Sequence, residues 1–204
     1  MKPVEIDTPF GVARAHVRLA AEAKAALVLG HGAGGGVTAR DIVTAAEVAH
    51  SLGLSVALVE QPYRVAGRRS PAPAHQLDAA WTAVIEHLLA AELRGSGIVV
   101  GGRSSGARVA CRTTDAVGAV GVLCLAFPLQ PPRREGAPHA RSRLAELDAV
   151  TVPTLVVQGT RDRFGMPPAS ETRTVVQVSG DHSLRTDLAA IGAAVRAWLP
   201  RVVG

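Results

Sequence analysis

Aromatic residues are scarce in this 204-residue chain, at 3% of the sequence. A surface of interleaved basic and aromatic side chains, the usual platform for nucleic-acid bases, is therefore hard to build. Net charge is +5, but the arginines are spread out and form no basic block, so no nucleic-acid partner is expected. There are only two cysteines, Cys111 and Cys124. They share no metal-ligand spacing and do not look like a disulfide framework; both lie in apolar segments and read as buried thiols. No metal and no cofactor is implied. No apolar run reaches the length of a membrane span, so no membrane partner is expected. The stretch Met1–Asp7 has no apolar core of a secretory signal, which makes the cytoplasm the expected location.

Hydrophobic residues make up 48% of the chain. Residues 1–204 are most simply one domain with a substantial core built from Ala, Val and Leu. Strand-like and helix-like segments alternate, which argues for an α/β fold with a mostly parallel sheet and helices on both faces. Residues 4–7 and 12–19 read as an antiparallel opening hairpin around Pro9-Phe10-Gly11. Buried strands are expected at 25–29, 55–59, 97–101, 117–126, 154–158 and 174–178. Thr38-Ala39-Arg40-Asp41 fits a capping box that starts a helix to about Ser51. A long helix over 75–93 would put Leu77, Trp81, Val84, Ile85, Leu88 and Leu89 on one stripe. A helix follows the strand at 97–101, a short one covers about 141–148, and a last one covers about 184–199.

Gly102-Arg103-Ser104-Ser105-Gly106 fits the G-x-S-x-G pattern of a nucleophile elbow. It follows the apolar run Ile98-Val99-Val100 and precedes a helix-compatible stretch, as a sharp strand-to-helix turn requires. A neutral serine is a poor nucleophile and needs a histidine base oriented by a carboxylate. Asp162 directly follows the strand at 154–158, and His182 directly follows the strand at 174–178. Parallel strands end on one edge of the sheet, so these loops can converge on Ser104. Taken singly, Asp162 could be a turn residue or a partner of Arg161 or Arg163, and His182 a helix-flanking residue. Asp181 competes for the acid's role, but a neighbour of the histidine in sequence is badly placed to reach its ring. Acyl transfer also needs donors for the developing oxyanion. The loop His31-Gly32-Ala33-Gly34-Gly35-Gly36 follows the first buried strand, and the N–H groups of Ala33 and Ser105 are the expected oxyanion hole. His31 is expected to tie that loop together, and His31 and Gly34 to border the substrate.

The order of strands, glycine loop, elbow, Asp162 loop and His182 loop resembles an α/β-hydrolase over nearly the whole chain. The stretch 60–69, Gly-x-x-Asp-x-Phe-Gly at 159–165 and Gly180-Asp181-His182-Ser183 are similar to a particular branch. That branch is a small hydrolase-like group with bacterial members, testis-expressed proteins and an NSL chromatin-complex subunit. Many superfamily relatives carry a cap domain after the strand that here ends near Ala126. Here a loop of about a dozen residues, with Pro128, Pro131, Pro132, Arg133 and Arg134, stands in its place, so no cap domain and an open site are expected.

Arg64, Arg68 and Arg69 follow one strand, Arg133 and Arg134 follow another, and Arg103 lies inside the elbow. They form either a basic rim for an anionic acyl substrate or solvated loop charge. Tyr63 and Phe164 are further candidate substrate contacts. The expected activity is a serine hydrolase that cleaves a carboxylic ester or thioester of a small acyl substrate through an acyl-enzyme. A peptidase using the same three residues, or a non-catalytic binding scaffold with this fold, are the alternatives. The sequence leaves oligomeric state open.

Overall fold

The structure, a computed structural model, describes residues 1–23, 25–131 and 141–204. The chain opens with an antiparallel hairpin, β1 (Lys2–Thr8) and β2 (Gly11–Arg18). Along β2 the side chains of Ala13, Ala15 and Val17 are buried and those between them are less so, the alternation of a sheet with one covered face. The parallel strands follow: β3 (Ala25–Gly30), β4 (Ser55–Glu60), β5 (Gly97–Arg103), β6 (Gly121–Leu125), β7 (Thr154–Gly159) and β8 (Arg173–Val178). The sheet order is β1-β2-β4-β3-β5-β6-β7-β8, and only the pairs β1/β2 and β2/β4 are antiparallel. Every residue of β3, β6 and β7 is buried, because helices cover both faces of these strands.

One face packs under α3 (Ala74–Ala90) and α4 (Ser105–Thr113). Leu77, Trp81, Val84, Ile85 and Leu88 of α3 are buried there, with Leu89 at the margin. Cys111 and Cys124 are buried on the same face with their Sγ atoms 3.6 Å apart. The other face packs under α1 (Arg40–Ser51) and α6 (Leu188–Trp198) through Ile42, Ala45, Ala49, Ile191, Val195 and Trp198. Short helices α2 (Pro62–Val65), α5 (Leu144–Asp148) and α7 (Pro200–Val203) complete the described residues. No lid is inserted among them; of the connection from β6 to α5, residues 132–140 lie outside the described residues. The architecture is the α/β-hydrolase fold expected from the sequence, with no cap domain among the described residues.

Three local expectations fail for identifiable reasons. The strand expected over 117–126 is only β6, because Val117 and Ala119 bury themselves in a turn that closes α4, held by Val117 N–H to Thr113 and Ala119 N–H to Thr114. The capping box at Thr38–Asp41 does not form: Ala39 is the N-cap, without a side-chain hydrogen bond, and the Asp41 carboxylate turns inward to Arg103. The last helix starts four residues late, at Leu188, where Asp187 accepts from the Ala190 N–H at 3.0 Å. Before it, Leu184 takes a left-handed conformation (φ 50°) and is fully buried. Sheet order reverses around β3, which has β4 on one side and β5 on the other, so a crevice opens at the C-terminal ends of β3 and β5. The candidate site residues gather there.

Candidate active site

Ser104 sits between β5 and α4 with φ 52° and ψ −106°, a left-handed backbone that a non-glycine residue adopts at a cost of about 1–3 kcal/mol. Its N–H is pinned to the Leu125 carbonyl at 2.9 Å, and its carbonyl accepts from Arg108 N–H at 3.2 Å. Gly106 makes the turn possible: a Cβ there would lie 2.6 Å from the Gly30 carbonyl carbon and oxygen. The elbow and β3 therefore touch backbone to backbone.

His182 and Asp162 reach this serine from the loops after β8 and β7. His182 Nε2 lies 2.9 Å from Ser104 Oγ, and Nδ1 lies 2.7 Å from Asp162 Oδ2. The Asp162 side chain is only 1% exposed, so its hydrogen bonds decide whether its charge is tolerated there. The Phe164 N–H donates to Oδ1 at 2.9 Å and the Gln158 amide to Oδ2 at 2.8 Å. Gln158 is a residue that the sequence reading missed. Its amide also faces the carbonyls of Phe127 and Gly165, at 3.0 and 2.9 Å, and so ties three loops around Asp162. Its place four residues before Asp162, at the end of a buried strand, was the available signal. Phe164 packs edge-on against the His182 ring with centroids 4.5 Å apart. Asp181 is exposed and turned to the Ser183 hydroxyl and N–H, which lower its pKa.

The glycine loop after β3 closes the other side. A Cβ at Gly32 would stand 3.7 Å from the Ser104 Cβ, and Gly35 N–H donates to the Gly32 carbonyl to make the loop a tight turn. The Tyr63 hydroxyl donates to the Ala33 carbonyl at 2.9 Å. Burial pushes that phenol up to about 12, so it stays a neutral donor. The N–H groups of Ala33 and Ser105 have no protein acceptor among the described residues. Ser105 opens α4, whose first N–H groups also bring the positive end of the helix dipole to this point.

Several expected substrate contacts are elsewhere. His31 is 3% exposed and does not border the pocket; its Nδ1 pairs with the Gly32 carbonyl and its Nε2 accepts from Gln61 N–H at 3.1 Å. Nε2 is therefore the unprotonated nitrogen. Burial lowers the pKa of His31, which keeps it neutral. Tyr63 is buried behind the loop, and Arg64 turns back on the Arg68 carbonyl; neither lines the pocket. Arg68 and Arg69 line a neighbouring depression that meets the site only at Pro71. Arg133 and Arg134 lie outside the described residues. Gly34, Arg103 and Phe164 do border a pocket of about 620 Å3 that contains Ser104, Ser105 and His182. Arg103 stands 3.0 Å from buried Asp41 and donates to the His182 carbonyl at 3.0 Å, joining α1, the elbow and the histidine loop. Besides Arg103, the pocket is bordered by Arg108, Arg143, Arg163 and Arg185, none of which was expected from the sequence as a substrate contact. Arg163 and Arg185 directly follow the Asp162 and His182 loops in sequence, and Arg108 is one helical turn after Ser104. Among the described residues no cluster of His, Cys, Asp and Glu could hold a metal. No helix among them is long and apolar enough to cross a membrane.

A family model described as an alpha/beta hydrolase domain matches residues 23–193. No curated protein matches the sequence. Among solved structures the chain is similar to Est1E from Butyrivibrio proteoclasticus, with a TM-score of 0.78 at 15% identity over 100% of this chain and 99% of that one. It is also similar to XC6422 from Xanthomonas campestris, described as an a/b serine hydrolase without lid, with a TM-score of 0.77 at 18% identity over 99% and 94% of the two chains. An alpha-beta serine hydrolase homologue from Coxiella burnetii gives 0.76 at 17% identity over 96% of each. At these identities the likeness is one of fold.

Proposed function

The chain belongs to the α/β-hydrolase family, and from that premise we propose that it is a serine hydrolase of carboxylic esters or thioesters of a small acyl substrate. The observation that carries this reading is the His182 ring, hydrogen-bonded to Ser104 Oγ on one side and to a buried, fully engaged Asp162 on the other. Ser104 Oγ attacks the acyl carbon while His182 Nε2 takes the hydroxyl proton. Asp162 fixes the ring with its proton on Nδ1 and stabilises the imidazolium. The carbonyl oxygen gains the charge and is met by the N–H groups of Ala33 and Ser105. Collapse expels the alcohol or thiol, which receives its proton from His182 and leaves an acyl group on Ser104. Water then attacks that ester, gives its proton to His182, and the second collapse returns it to Ser104 as the acid departs. A pocket of about 620 Å3 among the described residues suits a small molecule.

A fluorophosphonate probe tests this reading. Wild-type protein should be phosphonylated at Ser104, and Ser104→Ala should abolish both labelling and ester turnover with its fold intact. Labelling that persists in Ser104→Ala would overturn the assignment. A folded wild-type protein that resists the probe would favour a non-catalytic scaffold.

A further inference from the structure

Among the described residues, five arginines and no carboxylate line the pocket above Ser104. Two of the five already have a counter-charge. Arg103 faces Asp41, and Arg108 holds Glu146 with two contacts, one of them Nε to Oε2 at 2.8 Å. Arg143 is different. It is half-buried; its backbone N–H donates to the Leu129 carbonyl at 2.9 Å and its Nη1 to the Pro128 carbonyl at 3.0 Å. Among the described residues the acidic groups near it are engaged elsewhere: Glu146 is shared by Arg108 and Arg112, and Asp78 binds Arg112 at 2.6 Å. Among the described residues, three guanidinium groups thus stand near two carboxylates. Burial and the charges of Arg108 and Arg112 lower the Arg143 pKa, as expected for a cation whose surroundings carry excess positive charge. A guanidinium has five donors in a planar fork, and among the described residues Pro128 engages one of these. Arg163 and Arg185 stand exposed on the same pocket, from the loops that carry Asp162 and His182, with no carboxylate partner among the described residues. Arg163 lies over the Phe164 ring at 4.9 Å.

We propose that the pocket takes an acyl substrate bearing an oxyacid group, a carboxylate or phosphate, which Arg143 binds through its free fork while Arg163 and Arg185 attract it at the mouth. A planar guanidinium suits the paired oxygens of such a group. The half-buried charge then gains a counter-charge from the substrate, which selects against neutral esters. The position of the ester over Ser104 rests on the serine-hydrolase reading; the anion site itself does not.

The test uses Ser104→Ala protein, so binding is measured without turnover. Titration calorimetry compares the para-nitrophenyl half-ester of glutaric acid with neutral para-nitrophenyl pentanoate. The half-ester should bind roughly 10- to 100-fold more tightly at low salt, the range of a charge-assisted contact. Adding Arg143→Gln should erase most of that preference. Adding Arg94→Gln, in the exposed turn between α3 and β5 and so at the opposite edge of the sheet, should leave it intact. Should Arg143→Gln not fold, the exposed pair Arg163→Gln and Arg185→Gln should narrow the gap and weaken its salt dependence. Competition by glutarate marks a carboxylate as the oxyacid, and competition by inorganic phosphate alone marks a phosphate. Equal affinity for both esters, or competition by neither anion, overturns the anion site and leaves the hydrolase reading standing. A retained binding preference with no turnover of either ester by wild type supports the anion site and removes the hydrolase reading.

Discussion

Replacing Gly106 by Ala tests how tightly the elbow must press on β3. Ala is a better helix former than Gly by about 1 kcal/mol, so on propensity alone the change near the start of α4 should stabilise the protein. Space says the opposite. The new Cβ would lie 2.6 Å from the Gly30 carbonyl carbon and oxygen and 2.9 Å from the His31 oxygen, where ordinary contact begins at 3.4 Å. The two segments must separate by about 0.8 Å. All three atoms are backbone, and Gly30 is held in the sheet by pairing with Gly102 and Val59, so no side chain can swing away. Overpacking of this kind costs about 1–3 kcal/mol, which at this chain length lowers Tm by roughly 2–12 °C. The shift also moves the Ala33 loop away from Ser104. A displacement near 1 Å can lower turnover by about 100-fold. Urea or thermal unfolding reads the first effect, and kcat on an activated ester reads the second. Gly36→Ala, where an added Cβ meets nothing within 4 Å, is the control and should match wild type in unfolding. A Gly106→Ala protein as stable and as active as wild type would refute the close-contact argument.

Asp162→Asn should lower kcat by about 10⁴ if it orients the base, whereas Asp181→Asn, at an exposed group turned to Ser183, should change it little; ester kinetics on both variants decide. Gln158→Ala removes the amide that reaches Asp162, Phe127 and Gly165 and should destabilise the fold by about 1–3 kcal/mol in urea, with a fall in kcat that Asn at the same position does not rescue because its amide is one carbon too short. His31 gives the fold a pH dependence. Its pKa is lowered by burial, so below about pH 6.5 the unfolded chain takes the proton that the folded one resists, and stability is full above that pH and falls below it. The urea midpoint of wild type should therefore drop between about pH 7.5 and 5, and His31→Asn should remove part of that slope; parallel slopes would contradict the buried neutral histidine.

How much of this was legible in the sequence depends on what kind of contact fixes each residue. The meeting of Ser104, Asp162 and His182 in space was readable because a parallel sheet sends every strand to the same edge, so position just after a strand stands in for position in space. The side of a loop on which an arginine ends up has no such rule. Arg64 follows β4 at the correct edge, yet the short helix α2 turns it onto the Arg68 carbonyl. Arg143 faces the pocket because its own backbone and guanidinium are held by the carbonyls of Leu129 and Pro128, a pairing invisible until α5 is placed. Asp41 misled for a related reason. Its spacing from Thr38 satisfied a local capping rule, and a side-chain cap is worth about 1 kcal/mol to a helix. Tertiary structure used the carboxylate differently: it sits 1% exposed against Arg103, which in turn donates to the His182 carbonyl. Helix α1 forgoes its side-chain cap while the elbow and the histidine loop gain a shared anchor. Local rules fail here where a residue is held by distant parts of the chain, and several of those failures fall on the edge of the sheet where Ser104 lies.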